Sequence, residues 1–378
     1  MLARQCENLR SPHDFSSRTV AGARRGRLAG TGHTSAAPRS KYRTIRMRHS
    51  ALFASIPAVV DRCPLMSVLL KKISRSLILG LCFWLPRSRR IRLERWLRGK
   101  EEFRKLQLAD CVVVSFGKSG RTWLRVLLSR FYQVKHDLPH NQLIGFDNLH
   151  RRNPAVPRLF FTHDNYLKDY TGNADSKRDY YGKKVILLAR NPLDTTVSQY
   201  FQWKFRMRRG KKSLNKYPGH GTEMEIFPFM MDQESGLPKV IDYLNLWARE
   251  APKCREFLLV RYEDMRADTG ATLQRILDFI GTPGNAEQIA EAVRFASVEN
   301  MRQMETKRTF WMSGNRMVAK DVNNPDSFKV RKAKVGGFRD YFDAGQLQQL
   351  QVLVGRELAP FYDFTLEAQT NASPEARE

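Results

Sequence analysis

Cysteine is scarce in this chain of 378 residues: five are present, at Cys6, Cys63, Cys82, Cys111 and Cys254. The number is odd, the spacings are wide, and no C-x-x-C pair occurs. A disulfide scaffold and a cysteine zinc site therefore do not follow, and free thiols suit a reducing compartment. Metal-ligand patterns are missing as well. His136 and His140 stand four apart, but Pro139 between them argues against a helical ligand pair. No H-E-x-x-H and no acidic metal cluster appears, so no metal site is expected. Long apolar runs are also lacking. Residues 77–86 are apolar throughout, but ten residues fall short of the ~20 that a helix needs to cross a bilayer. Finally, acids are nearly absent from the first quarter. Residues 1–100 hold 22 Lys and Arg against 4 Asp and Glu, while residues 101–378 hold 43 against 34. Two thirds of the net charge of +27 thus belong to an N-terminal arm, which implies attraction to a polyanion or an acidic membrane.

What remains is ordinary globular material, 42% hydrophobic and 27% charged. The length suits one large α/β domain or two smaller ones. Residues 1–65 are rich in Arg, Ser, Gly, Ala and Thr, without apolar periodicity, and read as a disordered basic extension. Two origins fit it: an over-long start, since Met47 and Met66 can each initiate, or an Arg-rich, acid-poor transit peptide. Residues 66–107 form a basic amphipathic segment. Its apolar run is flanked by Lys71, Lys72 and Arg75 before and by Arg87, Arg89 and Arg90 after. It reads either as an interfacial helix making peripheral contact with an acidic membrane through residues 66–99, or as a helix packed on the domain that follows. Residues 108–365 form that domain, and 366–378 a disordered tail.

Within the domain, short apolar strands alternate with helices. Strands are expected at 111–116, 159–162, 185–189 and 257–260. Helices are expected at 122–132, 194–205, 237–249 and 271–280, the last with Leu273, Ile276, Leu277 and Ile280 on one face and Gly281 at its end. This pattern predicts a three-layer α/β domain with a central parallel sheet covered by helices on both faces. Residues 206–236 break the rhythm and read as a long mobile insertion over the active site.

The chemistry concentrates after the first strand. Val112-Val113-Val114-Ser115-Phe116-Gly117-Lys118-Ser119-Gly120-Arg121-Thr122-Trp123 is a strand, a tight Gly/Ser loop and a helix start. Glycine lets the backbone approach a ligand, and the helix N-terminus offers free N–H groups. Lys118 adds charge, and Ser119 and Thr122 add hydroxyls. The result is a P-loop-like phosphate cradle. It is not a Walker A loop, because Val112 stands where G-x-x-x-x-G-K-[ST] needs its first glycine.

Lys118 to Trp123 resembles the K-S-G-T-T-W loop of the cytosolic-type sulfotransferases, which use 3'-phosphoadenosine 5'-phosphosulfate (PAPS). The resemblance implies that Lys118, Ser119, Gly120, Arg121, Thr122 and Trp123 hold the phosphosulfate end of the donor, with Trp123 at the adenine. Arg121 replaces the family's Thr. Arg190-Asn191-Pro192-Leu193-Asp194-Thr195-Thr196-Val197-Ser198-Gln199-Tyr200 is similar to the family's R-N-x-x-D-x-x-V-S-x-Y segment, which assigns Arg190 and Ser198 to the 3'-phosphate. Asp194 reads as a helix-start residue. Arg331-Lys332-Ala333-Lys334-Val335-Gly336 resembles R-K-G-x-x-G, with Ala333 in the place of a glycine. Arg261-Tyr262-Glu263-Asp264 resembles the family's Y-E-D segment, whose Tyr lies near the adenine. Phe161-Thr162-His163 resembles K-T-H, whose His is the general base. Phe161 replaces the Lys, so a positive charge is missing there, and Asp164 is available to orient the imidazole.

Together these imply a bacterial-like, PAPS-dependent sulfotransferase with His163, Lys118 and Ser198 as catalytic residues and no metal. His163 would deprotonate a hydroxyl or amine, Lys118 would stabilise the departing oxygen, and Ser198 would hold Lys118 until the donor arrives. The acceptor is hinted to be a glycan or lipid. The location implied is cytoplasmic, with a nucleotide donor and a hydroxylated acceptor as partners and no nucleic acid. The rivals are a P-loop-type nucleotide kinase and a non-enzymatic polyanion- or membrane-binding protein.

Overall fold

A computed structural model describes residues 68–310, 317–318, 320–321, 323–331 and 333–364. The expectations for residues 1–65, for Lys332 and for the tail at 366–378 lie outside these.

Four strands, β1 (Cys111–Val114), β2 (Leu159–Thr162), β3 (Lys184–Ala189) and β4 (Glu256–Arg261), form one sheet in the order β2-β1-β3-β4. Every pairing is parallel, with Val112 opposite Phe160 on one side and Val185 on the other. The sequence dictates this. β1 is a Cys-Val-Val-Val run buried at every position, as a central parallel strand with both faces covered must be. Successive side chains point to opposite faces. Cys111, Val113, Ile186 and Leu188 join one core with Leu124, Leu128 and Phe131. Val112, Val114, Val185 and Leu187 join a second with Leu106, Val240 and Trp247. The three-layer expectation holds.

The helices that matter for the site are α1 (Val68–Leu81), α2 (Arg87–Leu108), α3 (Arg121–Lys135), α4 (Leu167–Thr171), α5 (Pro192–Phe201), α6 (Arg209–Leu214), α7 (Ile226–Met231), α8 (Leu237–Glu250) and, near the C-terminus, α9 (Val298–Lys307). The expected helix at 194–205 stops at Phe201 and continues as one wide π-turn, Gln202–Arg206. The stretch 206–236 is not a plain long loop. It forms α6 and α7, and it buries Leu214, Phe229 and Met230. Tyr200, Trp203 and Phe229 make a small aromatic core beneath it, which its Gly and Pro content concealed.

Residues 87–108 form a helix that packs on α4. Arg95 Nε and Nη2 donate to the Asp169 carboxylate at 2.9 and 2.8 Å. A Cβ at Gly99 would lie 2.3 Å from the Tyr166 carbonyl oxygen, so only glycine admits this close approach.

Chain direction then locates the site. From β1 the chain crosses to β2 on one side; from β3 it crosses to β4 on the other. The loops leaving β1 and β3 therefore diverge, and the crevice at such a switch point is where parallel sheets take their ligands. Residues 115–120 and 190–191 form its two lips.

Candidate active site

A cavity of about 1640 Å³ opens at this crevice, and Gly117, Lys118, Gly120, Arg121, Thr122, His163, Arg190, Ser198, Tyr262 and Arg331 all line it. Its first wall is the β1–α3 loop. Lys118 has φ 76 and Gly120 φ 92, so two left-handed residues fold the loop tightly before α3 begins. At Gly120 a side chain is doubly excluded, because a Cβ would meet Tyr262 Cδ2 at 2.6 Å. Ser119 is buried, and the backbone N–H groups of the first α3 turn have no intrahelical acceptor. Trp123 is pinned by its Nε1–H to the Ala296 carbonyl at 3.0 Å. It meets Tyr262 edge to face, ring centroids 5.7 Å apart.

The second wall is cationic. Arg190 leaves β3, lies 4.4 Å over the Tyr262 ring, and donates to the carbonyls of Lys118 at 3.3 Å and Lys334 at 3.1 Å. Its Nη1 also reaches Ser198 Oγ at 3.5 Å. Among the described residues the hydrogen-bond partner of Ser198 Oγ is thus Arg190 and not Lys118. Arg331 lies 4.0 Å over Phe201 and bonds the Tyr341 hydroxyl. Arg206 pairs with buried Glu305 at 3.4 Å. Buried Nε–H groups of Arg190 and Arg206 have no hydrogen-bond partner among the described residues. Buried donors are ordinarily satisfied, and here two guanidinium groups of the wall each keep one donor unmet. Ala333 takes φ 54: the loop keeps the left-handed turn that the family's glycine makes easily, at a backbone cost of about 1–2 kcal/mol for Ala.

His163 closes the floor at the end of β2. The Ser115 carbonyl, 2.8 Å from Nδ1, can only accept, so Nδ1 carries the proton and Nε2 keeps its lone pair. Arg121 Nη2 donates to that lone pair at 2.5 Å. Asp164 does not orient the imidazole. Its φ of 53 turns the carboxylate away, to Lys177 Nζ at 2.6 Å and the Tyr180 hydroxyl at 2.8 Å. Nor is positive charge missing at Phe161, for the Arg125 guanidinium lies 3.9 Å from the centre of that ring. It arrives from α3, which the local sequence around His163 could not reveal.

Comparison with known proteins decides the family. A family model described as "Sulfotransferase domain" matches residues 108–361. This chain belongs to the sulfotransferase family. Among its curated relatives, Sulfotransferase 2A6 of Rattus norvegicus is 26% identical over 267 residues, 67% of this chain and 85% of the relative. Cytosolic sulfotransferase 15 of Arabidopsis thaliana is 25% identical over 285 residues, 66% of this chain and 72% of the relative. Among solved structures, mouse sulfotransferase SULT7A1 complexed with PAP is similar at 20% identity and TM-score 0.44, covering 68% of this chain and 89% of that one.

The electrostatics of this sulfotransferase follow from burial among like charges. Burial, with Arg206, Arg190 and Arg331 around it, pushes the Lys118 ammonium down to about 7. Burial and then Arg121 hold the His163 imidazole well below its usual value, so it is neutral at pH 7. Burial and the Asp164 charge lift Glu102 of α2 up to about 7.

Two residues of the site went unassigned from sequence. Asp194 is more than a helix-start residue. Its buried carboxylate accepts the N–H groups of Gly336 at 2.9 Å and Phe338 at 3.0 Å, tying the C-terminal loop to α5. Glu305 of α9 does the same for Lys329 and Val330, at 2.9 and 3.3 Å. Asp194 stands within the R-N-x-x-D segment but reads from sequence only as a helix-start residue, and Glu305 carries no motif at all.

Proposed function

We propose that this sulfotransferase moves the sulfuryl group of PAPS to a hydroxyl or amine, with His163 as general base and Lys118 at the leaving oxygen. One observation carries the reading: the unprotonated Nε2 of His163, covered by Arg121, belongs to the same cavity lining as Lys118. The phosphosulfate end of the donor lies along Lys118, Ser119, Gly120, Arg121 and Thr122, where the N–H groups of α3 and its positive end favour an anion. Arg190, Ser198, Arg331, Lys332 and Ala333 take the 3'-phosphate, for which a guanidinium fork is suited. Trp123 and Tyr262 flank the adenine.

In the reaction, His163 Nε2 takes the acceptor's proton as its oxygen or nitrogen attacks sulfur. The bond from sulfur to the 5'-phosphate oxygen breaks, and its electron pair stays on that oxygen, where Lys118 meets the growing charge. Adenosine 3',5'-bisphosphate leaves. Lys and Arg supply the charge that Mg²⁺ supplies in kinases. Arg121 covers the base's lone pair until the acceptor replaces it. The space beyond His163, lined by basic side chains such as Arg92, Arg95 and Lys211, suits a large acceptor of glycan or lipid type. The same reading has the protein work in the cytoplasm, with its basic N-terminal segment available to an acidic membrane.

The test is the His163→Ala variant, assayed for sulfuryl transfer from ³⁵S-labelled PAPS to a simple phenol. It should bind adenosine 3',5'-bisphosphate like the wild type and lose turnover; unchanged turnover removes His163 from the mechanism.

A further inference from the structure

Large apolar side chains are unevenly exposed. Of the thirteen that stand out of the described surface, six fall within twelve residues: Ile73, Leu77, Ile78, Leu81, Phe83 and Trp84. Ile73, Leu77 and Leu81 are spaced four apart on α1, so they share one face. The turn after α1 adds two rings that point outward. Leu81 is 76% exposed, Phe83 75% and Trp84 70%. Such a patch marks an interaction surface. Exposed Arg87, Arg89 and Arg90 follow at once, so the apolar stripe is edged with positive charge. With 14 residues, α1 reaches about 21 Å, short of the ~30 Å of a bilayer core. No helix among the described residues is long and apolar enough to cross a membrane. An apolar face with aromatic tips and an arginine edge matches the layered chemistry of a lipid interface: acyl chains, then carbonyls, then anionic headgroups.

The patch is joined to the cavity. Arg87 Nη2 donates to Ser213 Oγ at 2.7 Å. One turn further along α2, Ile91, Arg92 and Arg95 line the cavity, as do Ser213 and Leu214.

We propose that residues 73–90 are a membrane-docking surface, with Leu77, Leu81, Phe83 and Trp84 entering the acyl boundary and Arg89 and Arg90 on anionic headgroups. The cavity rim then sits at the level of the headgroups. This deepens the membrane contact given above but does not rest on the donor or on His163.

The experiment is sedimentation of the full chain with phosphatidylcholine vesicles containing 30% phosphatidylserine, and with pure phosphatidylcholine vesicles. A basic arm is expected to bind anionic vesicles through charge alone, so the rings decide. Phe83→Ala with Trp84→Ala should weaken partitioning by roughly tenfold or more. Arg89→Gln with Arg90→Gln should weaken it by about fivefold per arginine on the anionic vesicles only. Trp84 should be quenched by brominated acyl chains. Unchanged partitioning of the ring variant, or a Trp84 that bromine does not reach, overturns the proposal. So does a dimer in solution that the ring substitutions convert to monomer without change in vesicle binding, which makes the patch a contact between copies. Binding of adenosine 3',5'-bisphosphate, measured on the same samples, should be unaltered, so failure of docking and failure of the donor reading are read separately.

Discussion

Replacing Arg121 by Thr, the residue that the sulfotransferase loop ordinarily carries, should raise the proton affinity of His163. In the wild type, burial and the Arg121 guanidinium both disfavour the imidazolium. Arg121 acts twice: its charge repels a proton on the ring, and its N–H bond to Nε2 at 2.5 Å satisfies the neutral form. Two charges about 4 Å apart interact by ~4 kcal/mol at an effective dielectric near 20. Removing the guanidinium should therefore raise the proton affinity of His163, while burial still disfavours the imidazolium. The assay needs no acceptor. Ring-labelled histidine is followed by proton–carbon NMR across pH 4 to 8, and the His163 signal is identified by its loss in His163→Ala. Arg121→Lys keeps a cation and should leave the titration low. Coincident titration curves for wild type and Arg121→Thr would refute the contact and the role assigned to Arg121.

Lys118, held down to about 7, must be charged when an anion binds. Adenosine 3',5'-bisphosphate should therefore take up a proton on binding above pH 7, and its affinity should fall as pH rises through that value, by up to tenfold per unit. Calorimetry in buffers of different ionisation enthalpy checks this, and proton-neutral binding at pH 8 contradicts it. Asp194→Ala removes the acceptor of two backbone N–H groups. At about 1–3 kcal/mol for each buried donor left unpaired, the loop at 333–338 should loosen and nucleotide affinity should drop at least tenfold in direct titration. Gly120→Ala adds a Cβ at φ 92 against Tyr262. It should destabilise the fold by about 1–3 kcal/mol from the backbone alone, read by urea denaturation, and weaken nucleotide binding further.

Much of the sheet was legible because central parallel strands are short apolar runs. Leu159–Thr162 was read to the residue, and β1 only overshot into Ser115 and Phe116, which belong to the cradle. The phosphate loop was legible because its glycines and Lys118 are adjacent in sequence. The partners of His163 were not. Asp164 is its neighbour in sequence, but a left-handed backbone sends that carboxylate to Lys177. Ser115 and Arg121, more than forty residues away, hold the ring through the parallel pairing of β1 with β2. The helical content of 206–236 was hidden because six-residue helices carry too little periodicity to stand out. Tertiary burial of Trp203 and Phe229 makes them stable.

The central claim is that the crevice between β1 and β3 is built for a nucleotide carrying both a 3'- and a 5'-phosphate. Direct titration of adenosine 3',5'-bisphosphate into the wild type, Lys118→Ala and Arg190→Ala tests it. Expected is binding to the wild type without metal, and a loss of tenfold or more in each variant, since each removes a charge-assisted bond of about 1.5–3 kcal/mol. A wild type that ignores this nucleotide and binds ATP with Mg²⁺ would contradict the account.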